Sequence, residues 1–122
     1  MSFDWREYLD LARELAGRGT TRSTEEAKLR SAISRAYYAS YCKARNQYPA
    51  PPNFVGSEHT FVWNQFQKSS DLTRKEIGRE GHRLRIDRNL ADYEDIVMAL
   101  PWLAAQALVR SDKILNLLKS LP

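Results

Sequence analysis

Arg74 to Tyr93 reads RKEIGREGHRLRIDRNLADY. Within it Ile77, Gly81, Leu84 and Arg88 recur at steps of four, three and four, which places them on one face of an α-helix. Gly78 and Gly81 each cost about 1 kcal/mol in a helix interior relative to alanine. They predict either a break or kink, or a place where another backbone approaches closely. The segment holds six basic residues (Arg74, Lys75, Arg79, Arg83, Arg85, Arg88) against Glu76, Glu80 and Asp87, so Arg74 to Arg88 carries +3 of the chain's formal +4. Arg88 is out of character on an apolar face. An arginine there needs an anionic partner or a substrate.

The neighbouring stretches read as helices that hold this one. Downstream, Glu94 and Asp95 give way to an apolar run, and Pro101 suits the first turn of a helix over 101–120. Leu103, Ala104, Ala107, Leu108, Ser111, Ile114, Leu115, Leu118 and Leu121 give that helix a broad apolar face. Upstream, Ser69-Ser70-Asp71 begins the basic segment. Ser57 caps a short helix bearing Phe61, Val62 and Phe66, with Trp63 on its flank. His59, in its first turn, reads as a surface residue or a modest hydrogen-bonding group. Asn46 to Gly56, NQYPAPPNFVG, is a loop by its three prolines and its glycine.

Ser23 and Glu26 fit a capping box for a long helix reaching about Asn46. Its stripe is Leu29, Ile33, Ala36, Tyr37, Ser40 and Ala44, widened by Ala32 and Ala39. The small residues invite another helix backbone to pack close. A second face carries Arg30, Ser34, Tyr38, Tyr41 and Arg45. Arginines interleaved with tyrosines either bind phosphate and stack on bases, or the tyrosines pack in an interface with their hydroxyls at its edge. At the start of the chain, Ser2 caps a helix carrying Trp5, Tyr8, Leu9, Ala12, Leu15 and Ala16, and Gly17 and Gly19 end it. No segment alternates with period two. The expected fold is all-α: one domain over 1–122, an antiparallel up-and-down bundle of four or five helices with 23–46 and 101–120 as the core pair.

Composition sets outer limits on function. Hydrophobic and charged contents of 43% and 28% are those of an ordinary globular domain. No apolar run approaches the roughly 18 residues of a membrane span, and the N-terminus lacks the pattern of a signal peptide. With one cysteine, Cys42, the chain has no internal disulfide or thiol metal cluster. A cytoplasmic, reduced protein is expected. The net charge of +4 and pI of 9.4 lean toward a polyanionic partner. Phosphate-binding glycine loops and serine hydrolase elbows are missing, and His59 and His82 do not stand at metal spacing. No metal or cofactor is expected. Arginine, tyrosine, asparagine and His82 remain, groups that suit binding a phosphodiester and, without a metal, cleaving it.

Two of these stretches carry a resemblance. Ala32 to Tyr41, AISRAYYASY, and Leu84 to Tyr93, LRIDRNLADY, resemble the SRAYYAAF helix and the LR..RN.ADY signature of the HEPN superfamily, and Ser57-Glu58-His59 lies where relatives often have Ser/Gly-x-His. The resemblance covers nearly the whole chain in order. It implies a short helical bundle that forms a homodimer and has a link to RNA. Many relatives are metal-independent endoribonucleases, often toxins encoded beside a minimal nucleotidyltransferase, or parts of antiviral systems. Their catalytic signature is Arg followed four to six residues later by His. Arg88 and Asn89 match its start, but Tyr93 stands where histidine is expected. Histidine exchanges protons near neutral pH, whereas tyrosine, with a pKa of about 10, is a poor base. His82 could supply the imidazole, especially across a dimer. The candidate catalytic residues are Arg88, Tyr93 and His82, and the candidate RNA-binding residues are Arg83, Arg85, Arg88 and Asn89. A protein-interaction module docking an acidic partner, such as a nucleotidyltransferase, is the alternative.

Overall fold

The computed structural model describes residues 3–16, 18 and 21–122, without the side chains of 7, 8 and 10. Among them every regular element is helical: α1 Arg6–Leu15, α2 Glu25–Ala44, α3 Glu58–Lys68, α4 Leu72–Tyr93 and α5 Leu100–Ser120. The chain is an all-α bundle. The expected cap at Ser2, the terminating Gly17 and Gly19, and the place of Tyr8 in the first stripe lie outside the described residues.

α2 and α5 pack along their length, and α4 touches α2, α3 and α5. α4 runs antiparallel to all three, as its side-chain partners show. Arg88 meets Tyr38 while Arg74 meets Tyr48, Arg85 meets Thr60 while His82 meets Asn64, and Glu80 meets Arg110 while Glu76 meets Lys113. Ile33, Tyr37, Trp63, Phe66, Ile77, Leu84, Ala107 and Ile114 are wholly buried between these helices. α1 rests on α2, over a small second core of Phe3, Leu11 and Ala27.

The small-residue stripe of α2 is filled from within the chain. Ser111 of α5 donates to the carbonyl of Ala36 at 2.8 Å and meets Ser40 Oγ at 2.8 Å, so both hydroxyls are satisfied inside the core. α4 passes through Gly78 and Gly81 unbroken. Of the two expected explanations, close approach is the one seen: a Cβ on Gly78 would lie 2.9 Å from Trp63 O and 2.8 Å from Gln67 N, and one on Gly81 would run into the Trp63 ring. The same gap corrects the flank position expected for Trp63. Its indole is fully buried, because Gly81 leaves room for it and Tyr37 OH accepts from its Nε1 at 3.0 Å.

The start of α2 also differs from the expected capping box. Thr24 is the cap, accepting from Ala27 N at 3.2 Å. Ser23 instead donates to Glu14 through its backbone N–H and its hydroxyl, and Glu26 turns forward to Arg30. A buried guanidinium one turn on outbids the backbone N–H for that carboxylate. α5 is entered through Ala99 in the left-handed region, φ 53°, with Pro101 in the first turn. No helix among the described residues is long and apolar enough to cross a membrane.

Candidate functional site

Arg88 sits in the last turns of α4, where the helix faces α2. Its side chain is nearly covered, and its guanidinium lies 4.9 Å from the Tyr38 ring centroid and 5.3 Å from that of Tyr93. Nη2 donates to Tyr38 OH at 2.6 Å and to Tyr93 OH at 3.4 Å, and Nη1 donates to Asn89 Oδ1 at 3.1 Å. Nε stands 2.7 Å from Asp92 Oδ2, an ion pair off the line of a good hydrogen bond. Asp92 also accepts from Ser34 Oγ at 3.2 Å. Burial opposes the Arg88 cation, but Tyr38, Asp92 and Tyr93 outweigh it and raise its pKa, so the charge is permanent.

A second group abuts the first across the tyrosines of α2. Ser57 caps α3 by accepting from Thr60 N at 3.2 Å. Arg85 ties α4 to that cap, donating to Thr60 Oγ1 at 2.5 Å and to Ser57 Oγ at 3.2 Å. His59, in the same turn, lies parallel to the Tyr41 ring at 4.0 Å and to the Tyr37 ring at 5.6 Å, and meets Tyr38 edge-on at 6.0 Å. Its Nδ1 is 2.6 Å from Tyr37 OH. Burial lowers the pKa of His59, and the positive charges of Arg85 and Arg88 lower it further. Burial pushes the Tyr37 hydroxyl up to about 12.

The structure therefore brings Arg88, Asn89 and Tyr93 together and sets Arg85 one step away. Arg83 is not with them. It is exposed, and five residues of helix rotate it about 140° from Arg88. His82 meets Asn64 Oδ1 through Nε2 at 3.0 Å, on the α3 side of the helix, and is not among the groups Arg88 touches. Arg30, expected on a phosphate-binding face, is instead fully buried. It donates to the carbonyls of Ala91 at 2.9 Å, Glu94 at 2.7 Å and Asp95 at 3.1 Å, and pairs with Glu26 at 3.1 Å. It serves carbonyls in the last turn of α4 and just beyond it, where a cation also suits the dipole. The tyrosines of that face divide: Tyr41 packs in the core, while Tyr38 is exposed beside Arg88.

Sequence reasoning read His59 as a surface residue or a modest hydrogen-bonding group and did not place it in the site. The signal present is weak: a histidine just inside a helix cap, and Tyr37 and Tyr41 one turn apart elsewhere. Only the fold joins them. Among the described residues no cluster of side chains could hold a metal ion, and Cys42 is a half-buried packing residue. The site offers permanent positive donors, two exposed phenol rings, Tyr38 and Tyr93, and one imidazole over a buried hydroxyl. That set suits an anion attached to an aromatic group. Compared with known proteins, the chain matches no family model, no curated protein and no solved structure.

Proposed function

We propose that this chain is a HEPN-like RNA-binding protein that grips a phosphodiester at Arg88. The observation that carries the reading is the framing of the Arg88 guanidinium by Tyr38 and Tyr93, residues that are 37% and 65% exposed. A guanidinium binds phosphate through charge-assisted, often bidentate hydrogen bonds. Exposed phenol rings accept bases by stacking, whatever the sequence. Arg45, over the Tyr41 ring at 6.0 Å, adds positive charge at the C-terminal end of α2. Membership in a toxin–antitoxin or defence pair and ribonuclease activity come from the resemblance and are proposed with it, as is the homodimer, which the small-residue stripe of helix 23–46 and Arg88 on an apolar face also suggest in the sequence. Of the two histidines, His59 is the one whose pKa Arg88 depresses.

The test is fluorescence anisotropy of a labelled single-stranded RNA, with a parallel cleavage assay free of divalent metal. Arg88→Ala should weaken binding about tenfold or more, and Tyr93→Phe should change it little. Wild type that neither binds nor cuts RNA, with an Arg88→Ala variant that melts early, overturns the reading.

The second reading, a module docking an acidic partner such as a nucleotidyltransferase, draws on Lys75, Arg79 and Arg83. These are exposed along the outer face of α4, away from Arg88. Under it, Arg83→Glu abolishes partner capture and Arg88→Ala does not.

A further inference from the structure

The hydroxyl of Tyr37 has two hydrogen-bond partners among the described residues: Trp63 Nε1 at 3.0 Å and His59 Nδ1 at 2.6 Å. Indole N–H can only donate. The hydroxyl therefore accepts from Trp63. Tyr37 is fully buried, away from bulk solvent, so its hydroxyl proton calls for a partner within the fold. The proton goes to the remaining partner, His59 Nδ1. An Nδ1 that accepts is unprotonated, and a neutral imidazole then carries its hydrogen on Nε2. That Nε2 makes no hydrogen bond among the described residues, and the ring is partly exposed. The chain Trp63–Tyr37–His59 thus presents one N–H outward, beside the ring of Tyr38 that also touches Arg88.

We propose that His59 contacts the RNA as a neutral hydrogen-bond donor through Nε2–H, with Tyr37 as the positioning residue that fixes its tautomer. The ligand rests on the RNA-binding reading above, whereas the tautomer is a property of the free protein. The surroundings of His59 agree with a neutral ring: burial first, then Arg85 and Arg88 from α4 and Arg45 just past the end of α2, oppose its protonation, against Glu58 of α3. A donor without charge has a chemical consequence. The contact does not fade above pH 6.5, where an imidazolium would lose its proton. The lone pair that a general base would use is already held by Tyr37, so His59 in this state binds and does not abstract.

The experiment has two arms. In long-range 1H–15N spectra of the free protein at pH 8, His59 should show the Nε2–H tautomer. Tyr37→Phe should shift it toward a mixture. In the RNA arm, His59→Phe keeps the stacked ring and removes the donor, and should weaken anisotropy binding about tenfold. His59→Gln, which returns an N–H near the Nε2 position, should recover most of the affinity. Wild-type affinity should stay level from pH 7 to 8.5. An Nδ1–H tautomer overturns the proposal, as does His59→Phe binding like wild type. If Arg88→Ala weakens binding and His59→Phe does not, only this proposal falls. If wild type does not bind RNA, both fall.

Discussion

Gly81 of α4 lies against the indole of Trp63 from α3, and a Cβ at Gly81 would overlap the ring. Alanine is the better helix former by about 1 kcal/mol. Here the clash wins, because the indole is fully buried and pinned through Nε1 to Tyr37. Gly81→Ala should lose about 2 kcal/mol in urea unfolding despite its propensity gain. A variant as stable as wild type would show that α3 can yield there.

Asp92 is the carboxylate already seated at Arg88, 2.7 Å from Nε, with both side chains largely covered. An incoming phosphate must compete with it. Asp92→Asn should therefore raise RNA affinity by roughly three- to tenfold. Anisotropy titrations at two salt concentrations check the effect. Lower affinity in this variant would mean that Asp92 orients Arg88 more than it competes.

The two histidines give acid a foothold. Burial lowers the pKa of His59 and of His82 from the ordinary 6.5, and Arg85 adds to both. The folded protein binds these protons more weakly than the unfolded chain does. Their contribution to stability is complete above pH 6.5 and is lost as pH falls from there toward the lowered folded values. Asp87, raised by burial, works the other way at more acidic pH. Denaturant melts should show a decline between pH 7 and 5, flattened in the His59→Gln/His82→Gln double variant. An unchanged slope would remove the histidines as its source.

Arg30→Ala should be among the more damaging single substitutions. It strips donors from the carbonyls of Ala91, Glu94 and Asp95 and leaves a hole under Phe3 and Trp5. The expected loss is roughly 3 kcal/mol by thermal or urea melting. Arg30→Lys keeps the charge but lacks the fork, and should lose less.

The helices were legible because their evidence is local. Ile77, Gly81, Leu84 and Arg88 state the period of α4 by themselves, and Ser57 and Asp71 cap the helices that follow them. Arg88 was legible as a misfit on an apolar face, and its partner Asp92 is one turn further on. Arg30 was not. Its spacing is that of a surface residue, and its burial depends on carbonyls 61 to 65 positions away. Trp63 fell on a flank until Gly81 opened space across the helix pair. His59 needed both: a helix cap to place it and α2 to supply the tyrosines.

Arg30 also has a mechanical consequence. Phe3 N donates to Asp95 O at 2.6 Å and Trp5 Nε1 to Asp95 Oδ1 at 2.7 Å, while both rings cover the guanidinium that holds the end of α4. Asp92 and Tyr93 lie within that tethered turn. Residues near the start of the chain therefore set the tension on one rim of the site. Whatever loosens Phe3 and Trp5 loosens the turn that holds Asp92 and Tyr93 against Arg88, so solvent exchange of the amides at 91–95 should rise with it.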